Sequence, residues 1–157
     1  MSANYVLAFA FGIGIVAGLR ALTAPAVVSW AAHLGWLDLR DSPLAFMAST
    51  WAVAIFSFLA IFELVGDVLP KTPKRTAPAP LAARILMGGL CGACLCASAN
   101  QSLWFGAVLG AIGAVIGAFA GYEIRKRLAM GWNIKDIFIA ITEDLIAIGL
   151  ACFLVAR

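Results

Sequence analysis

The chain has 157 residues, 64% of them hydrophobic and 12% charged, with a net charge of +3 and a mean hydropathy of +1.01. Soluble domains average about 25% charged residues and less than half apolar ones, so this composition argues against a soluble globular protein. The length fits one domain. The basic stripe with interleaved aromatics that would mark a nucleic-acid-binding module is missing.

A membrane span needs about 20 mostly apolar residues, and five stretches of the sequence qualify. The first runs from Tyr5 to Ala32, long enough to tilt or break, and Pro25 inside it predicts a kink near Leu22. It has no positive segment before the apolar run, because the first basic residue is Arg20, so it reads as a retained helix and not a cleaved signal. His33 to Ser42 follows as an interfacial turn anchored by Trp36.

The second span covers Leu44 to Leu69, closed by Pro70. A stiff, basic linker, PKTPKRTAPAP at 70–80, leads to the third span, Leu81 to Ser98, where Pro80 suits a first helical turn. Ala99 to Ser102 is a tight turn. The fourth span covers Leu103 to Tyr122 and the fifth Ile137 to Val155, separated by a basic linker with Trp132 near the boundary.

The predicted fold is therefore all-α: a polytopic transmembrane helix bundle of about five helices in one domain. Lys71, Lys74, Arg75, Arg84, Arg125, Lys126, Arg127 and Lys135 lie in or beside the second and fourth linkers, against Arg40 and Arg157 in the other two linkers and at the C-terminus. By the positive-inside bias this puts the N-terminus in the cytoplasm and the C-terminus outside, as in a multi-pass inner-membrane protein. The exposed basic residues Lys71, Lys74, Arg75, Arg125, Lys126 and Arg127 are expected to meet anionic lipid headgroups, each contributing about 1 kcal/mol.

Small residues mark the packing faces. Glycines at 106, 110, 113, 117 and 121 line one side of the fourth span, echoed by Gly14 and Gly18 in the first and by Gly88, Gly89 and Gly92 in the third. Such faces let helix backbones approach closely, within one chain or between the copies of a homo-oligomer. An inverted repeat between the first and last span pairs finds no support, because the acidic residues of both fall at one depth. Cys91 and Cys94 form a CxxC pair with no His or carboxylate nearby and read as packable residues of a helix. His33 is a boundary residue. No cofactor or metal fingerprint occurs in a suitable context, and an enzymatic role is disfavoured.

Chemistry points to the ionisable residues inside the apolar runs, each costing roughly 2.5–3.5 kcal/mol at a helix centre. Glu63 and Asp67 share a helix face, and Glu143 and Asp144 sit in the fifth span; both pairs lie roughly 10 Å from the basic end of their helices. Arg84, a turn into the third span, is the expected partner of Glu63 or Asp67. Ala140, Ala147 and Ala151 share the side of Asp144, which predicts burial against a neighbour. Arg20 falls in the outer half of the bilayer, off the plane of the carboxylates, where a carbonyl freed near Ala21 would serve it.

Carboxylates crowded in low dielectric hold protons or cations unless bases neutralise them. The leading expectation is a small transporter or channel-like protein. Glu63, Asp67, Glu143 and Asp144 would bind a proton or cation, Arg84 would tune them, and Arg20 would meet an anionic group or gate the outer half. The rival is a structural or assembly protein using the same charges as helix glue. A lipid-headgroup enzyme holding Mg²⁺ between the carboxylates has no matching signature.

With these residues in view, the chain resembles the bacterial membrane-protein family catalogued as domain-of-unknown-function family 4126. Gly18-Leu19-Arg20-Ala21, ELVGDVLP at 63–70, Arg84 with Gly88-Gly89, and Glu143-Asp144 carry the resemblance. Val68 stands where the pattern leads one to expect a basic residue. The resemblance implies a small multi-span inner-membrane protein and supplies no catalytic residues.

Overall fold

Pro25 does more than kink the first apolar run. In the computed structural model, which describes residues 3–66, 77–131 and 136–156 and the side chains of 5–66, 77–127 and 141–156, that run is two helices. These are α1 (Ala3–Leu19) and α2 (Thr23–His33), followed by a 3-10 turn (Ala45–Ala48), α3 (Thr50–Gly66), α4 (Pro78–Ser98), α5 (Leu103–Gly131) and α6 (Asp136–Val155). The described residues are thus all-helical. Two of the helices, over Pro78–Ser98 and Leu103–Arg127, are long and apolar enough to cross a membrane.

Local chemistry sets several of these boundaries. Pro25 lies in the first turn of α2, where its missing N–H has no helical partner to lose, and the first bond of that helix is Ala26 N–H to Leu22 O at 3.2 Å. Ser49 caps α3 by accepting the Ala52 N–H at 3.1 Å. Pro78 and Pro80 open α4. After α4, Asn100 takes φ 53°, and the Gln101 N–H returns to Cys96 O at 2.8 Å. This left-handed closure suits Asn.

Close contacts fix the helix directions. Gly14 lies on Gly110 and Gly18 on Ala114 and Gly117, so α1 and α5 run parallel. Gly88 lies on Gly110 and Gly92 on Gly106, so α4 runs antiparallel to both. A methyl group on Gly88 would come within 2.7 Å of the Gly110 carbonyl oxygen; only glycine allows these backbones to touch. The predicted small-residue faces are therefore consumed inside the chain. That removes the ground on which the α5 face was offered to a second copy.

The first run turns back on itself. Trp30 Nε1 donates to Ser57 Oγ at 3.0 Å, and His33 Nδ1 lies 2.9 Å from Ala48 O. Leu22 meets Glu63 near the far end of α3, so α2 ascends antiparallel to α3. Beyond α2, Trp36 and Leu37 face Val6 and Phe9 of α1 across a cavity of about 260 Å³. Residues 5–32 thus form a hairpin turning at 20–22, not one continuous helix. The start of α1 and the end of α6 lie at the same end of the bundle, where Val6 and Phe9 share a cavity lining with Leu154 and Val155. The expected opposite placement of the termini finds no support in this arrangement; hydropathy locates an apolar run but not a reversal within it.

The core fills the space behind the hairpin. Ile13, Val16, Ala24, Val28, Cys91 and Cys94 are fully buried there, and the two cysteines serve as the small packing residues expected. Ala147 and Ala151 are also buried, as the spacing around Asp144 predicts. Four of the tryptophans, Trp30, Trp36, Trp51 and Trp104, are exposed, and each sits near the end of the bundle that carries the α4–α5 turn.

Candidate functional site

Reversing a chain between two helices leaves carbonyls at one helix end and N–H groups at the other without helical partners. At the hairpin tip these groups are met by side chains from two other helices. Glu63 of α3 accepts the Ala21 N–H at 2.8 Å with Oε1 and the Leu22 N–H at 2.9 Å with Oε2. Arg84 of α4 donates from Nη1 to the carbonyls of Gly18 and Leu19, both at 2.8 Å. A carboxylate thus meets the positive end of α2 and a guanidinium the negative end of α1, the favourable sense for both helix dipoles. Hydrogen bonds to charged groups contribute about 1.5–3 kcal/mol each.

Two ion pairs tie the tip together. Arg84 Nη2 stands 4.0 Å from Glu63 Oε1, the partnership expected from their depths. Arg20, in the turn itself, pairs with Asp144 Oδ1 of α6. Arg20 is 1% exposed and Arg84 5%, while the side chains of Asp144 and Glu63 are 18% and 11% exposed. The site is two carboxylates and two guanidinia, close to charge balance and largely shut from solvent.

The placement of Arg20 is a correction. Read as the middle of a straight span it falls off the plane of the carboxylates; as the apex of a hairpin it points at Asp144. The carbonyls left over at the end of α1, those of Gly18 and Leu19, are taken by Arg84, whereas the sequence offered Arg20 one near Ala21. Of the other expected members, Glu143 is half-buried and, as the residue before Asp144, projects about 100° away around α6. Asp67 lies outside the described residues, as do Lys71, Lys74, Arg75, Trp132 and Lys135. At the α5 end, Arg127 Nε pairs with Glu123 at 3.0 Å on the surface, and Lys126 is exposed.

Sequence reasoning missed the backbone of the tip itself, which contributes four of the polar groups. The signal available was the cluster Gly18, Arg20, Thr23 and Pro25, which combines a small residue, a charge and two helix-start residues within eight positions. No group of three or more His, Cys, Asp or Glu suited to a metal ion occurs among the described residues.

All four charged residues and the turn fall within residues 7–156, which match the family model described as Domain of unknown function (DUF4126). The chain belongs to this family. No curated protein and no solved structure matches it.

Proposed function

We propose that the chain is a small multi-pass membrane transporter or channel-like protein that binds a proton or cation at the tip of a re-entrant helical hairpin. Glu63 and Asp144 are the exchanging carboxylates, and Arg84 and Arg20 set their charge. The observation that carries this reading is the unwound segment 20–22 bracketed by Glu63, Arg84 and Asp144 from three different helices. Non-helical backbone at membrane depth occurs where it is buried in protein or lines a cavity, and broken helices form the ion and substrate sites of many transporters. Ionisable groups in such a place are functional by default.

The membrane arrangement that fits is four crossing helices, α3 to α6, with the hairpin entering from one side. Exposed Trp30, Trp36, Trp51 and Trp104 mark the interface on that side. The Lys/Arg bias assigns the opposite end, with Arg125, Lys126 and Arg127, to the cytoplasm and to anionic lipid of the plasma membrane. Both termini then lie outside. Arg84 sits about 9 Å from the start of α4, so the tip reaches the inner part of the bilayer.

The chemistry is an exchange of partners. Each carboxylate is balanced by a guanidinium, so a proton or cation arriving at Asp144 or Glu63 competes with Arg20 or Arg84 for the same oxygens. Binding and loosening of the tip are then one event.

A second reading, a structural lock, is favoured by the two-to-two matching of acids and bases and by the use of both Glu63 oxygens. Proteoliposomes separate the two. Under the transport reading, wild type dissipates an imposed proton, sodium or potassium gradient, and Glu63→Gln and Asp144→Asn do so far more slowly while remaining folded. Wild-type flux equal to that of empty liposomes for all three ions, with variants that lose only stability, would establish the lock instead.

A further inference from the structure

Among the helices that meet at the tip, α3 is the least embedded. Its packing partners are α2 and the 3-10 turn, and its buried residues are Ala52 and Val53 alone, both in the first turn. Beyond them Ile55, Phe58, Ile61, Phe62 and Val65 are exposed by half or more of their surface. Half-buried Phe56 packs against the core one turn on, and polar ties further along include Ser57, which accepts from Trp30 at an exposed position, and Glu63 on the hairpin tip.

We propose that α3 is a hinged gate latched by Glu63, pivoting at 49–53 and swinging away from the hairpin tip when the carboxylate is neutralised. The lever from Val53 to Glu63 is about 15 Å, so a rotation of about 20° withdraws Glu63 by roughly 5 Å. In the bilayer such a swing costs little apolar burial, because lipid tails are as apolar as the side chains they replace. The polar latch therefore dominates the balance.

The charged form is what the latch requires. An ionised carboxylate accepts on both oxygens; a protonated one turns one oxygen into a donor, which faces the Leu22 or Ala21 N–H unproductively, and loses its attraction to Arg84. The charged groups around Glu63 are Arg84 from α4 and Arg20 in the turn, with Asp144 of α6 behind Arg20. The turn also supplies the Ala21 and Leu22 N–H groups, and Asp67 follows four positions on in sequence, outside the described residues. Protonation thus removes one N–H bond and the ion pair together, while the rest of the bundle stays held by its glycine contacts.

The inference uses the membrane reading but not the transport reading, and a distance measurement keeps them apart. With the exposed Cys152 replaced by Ser, spin labels at Val65→Cys and Phe119→Cys report the separation of α3 from α5 in lipid nanodiscs. The wild type at mildly alkaline pH should give a single short distance. Glu63→Gln should add a population longer by about 5 Å or more, while Glu63→Asp keeps mainly the short one. Acidifying the wild type should reproduce the Gln distribution. Unchanged distributions in a folded Glu63→Gln variant, or, should that variant not fold, an unchanged wild type on acidification, would overturn the gate whatever the flux assay shows.

Discussion

Helix α1 is held in two ways that could hardly differ more. Along its length, Gly14 and Gly18 press against Gly110 and Ala114 with no side chain and no charge between the backbones. At its end, Gly18 and Leu19 hand their carbonyls to Arg84, and the following N–H groups go to Glu63. The glycine seam derives its strength from shape, which no change of pH or ion can adjust. The tip derives its strength from charge, which a single proton alters. One chain thus carries a rigid frame and an adjustable joint that meet at Gly18.

The contrast can be broken from either side, and the seam should break harder. A side chain at Gly110 meets the Gly88 carbonyl, and neither backbone can yield without separating α4 from α5. Gly110→Val is expected to cost about 4–5 kcal/mol or more and to leave little monodisperse protein in mild detergent. Gly149→Ala, where nothing lies within 4 Å, is the neutral control. A well-folded Gly110→Val would mean that the backbones are not in contact.

Next in size is the tip. Arg84→Ala strands two carbonyls and the Glu63 carboxylate, and breaking a buried pair from one side costs about 3–5 kcal/mol. Unfolding in detergent should show that loss, with Arg84→Lys restoring part of it through a single ammonium. A stability within error of wild type would remove Arg84 from the account. Smaller again is the coupling of Arg20 with Asp144. A cycle of Arg20→Ala, Asp144→Ala and the double variant should give an interaction of about 0.5–3 kcal/mol, the double variant being less damaged than the two singles added together. Strict additivity would mean that the pair does not act as one.

The smallest effect belongs to the loop before α3. Arg40 beside Asp38 holds its carboxyl down to about 2, chiefly through the side-chain hydrogen bond. A lowered folded-state value means that the contribution is present above the ordinary carboxylate range and fades as pH falls from about 4 towards 2. Because both groups are exposed, Asp38→Asn should leave the melting temperature near neutral pH within error. A marked loss would show that this loop is structurally coupled to the tip.

Much of the frame is legible in the sequence. The runs at 44–69, 81–98, 103–122 and 137–155 locate α3 to α6, because continuous apolarity and flanking prolines are local signals. Glycine spacing likewise marks the faces that meet. The tip is legible only in part: Glu63, Arg84, Asp144 and Arg20 stand out as charges in apolar surroundings, but their partners do not. Arg84 bonds Gly18 and Leu19 from 66 and 65 residues away, and those partners are backbone atoms, which every residue has. The reversal at 20–22 was hidden for a related reason. Hydropathy has no direction, so a mostly apolar run of 28 positions reads the same whether it crosses or returns.

The hairpin is therefore the claim to test most directly, by single cysteines introduced in the Cys152→Ser background. Tyr5→Cys and Trp36→Cys flank the hairpin at exposed positions, and Arg127→Cys marks the opposite end. A membrane-impermeant thiol reagent applied to intact cells should label the first two together and the third only after permeabilisation. If Tyr5→Cys and Trp36→Cys label from opposite sides, residues 5–32 cross the membrane as one helix and the charged tip does not exist.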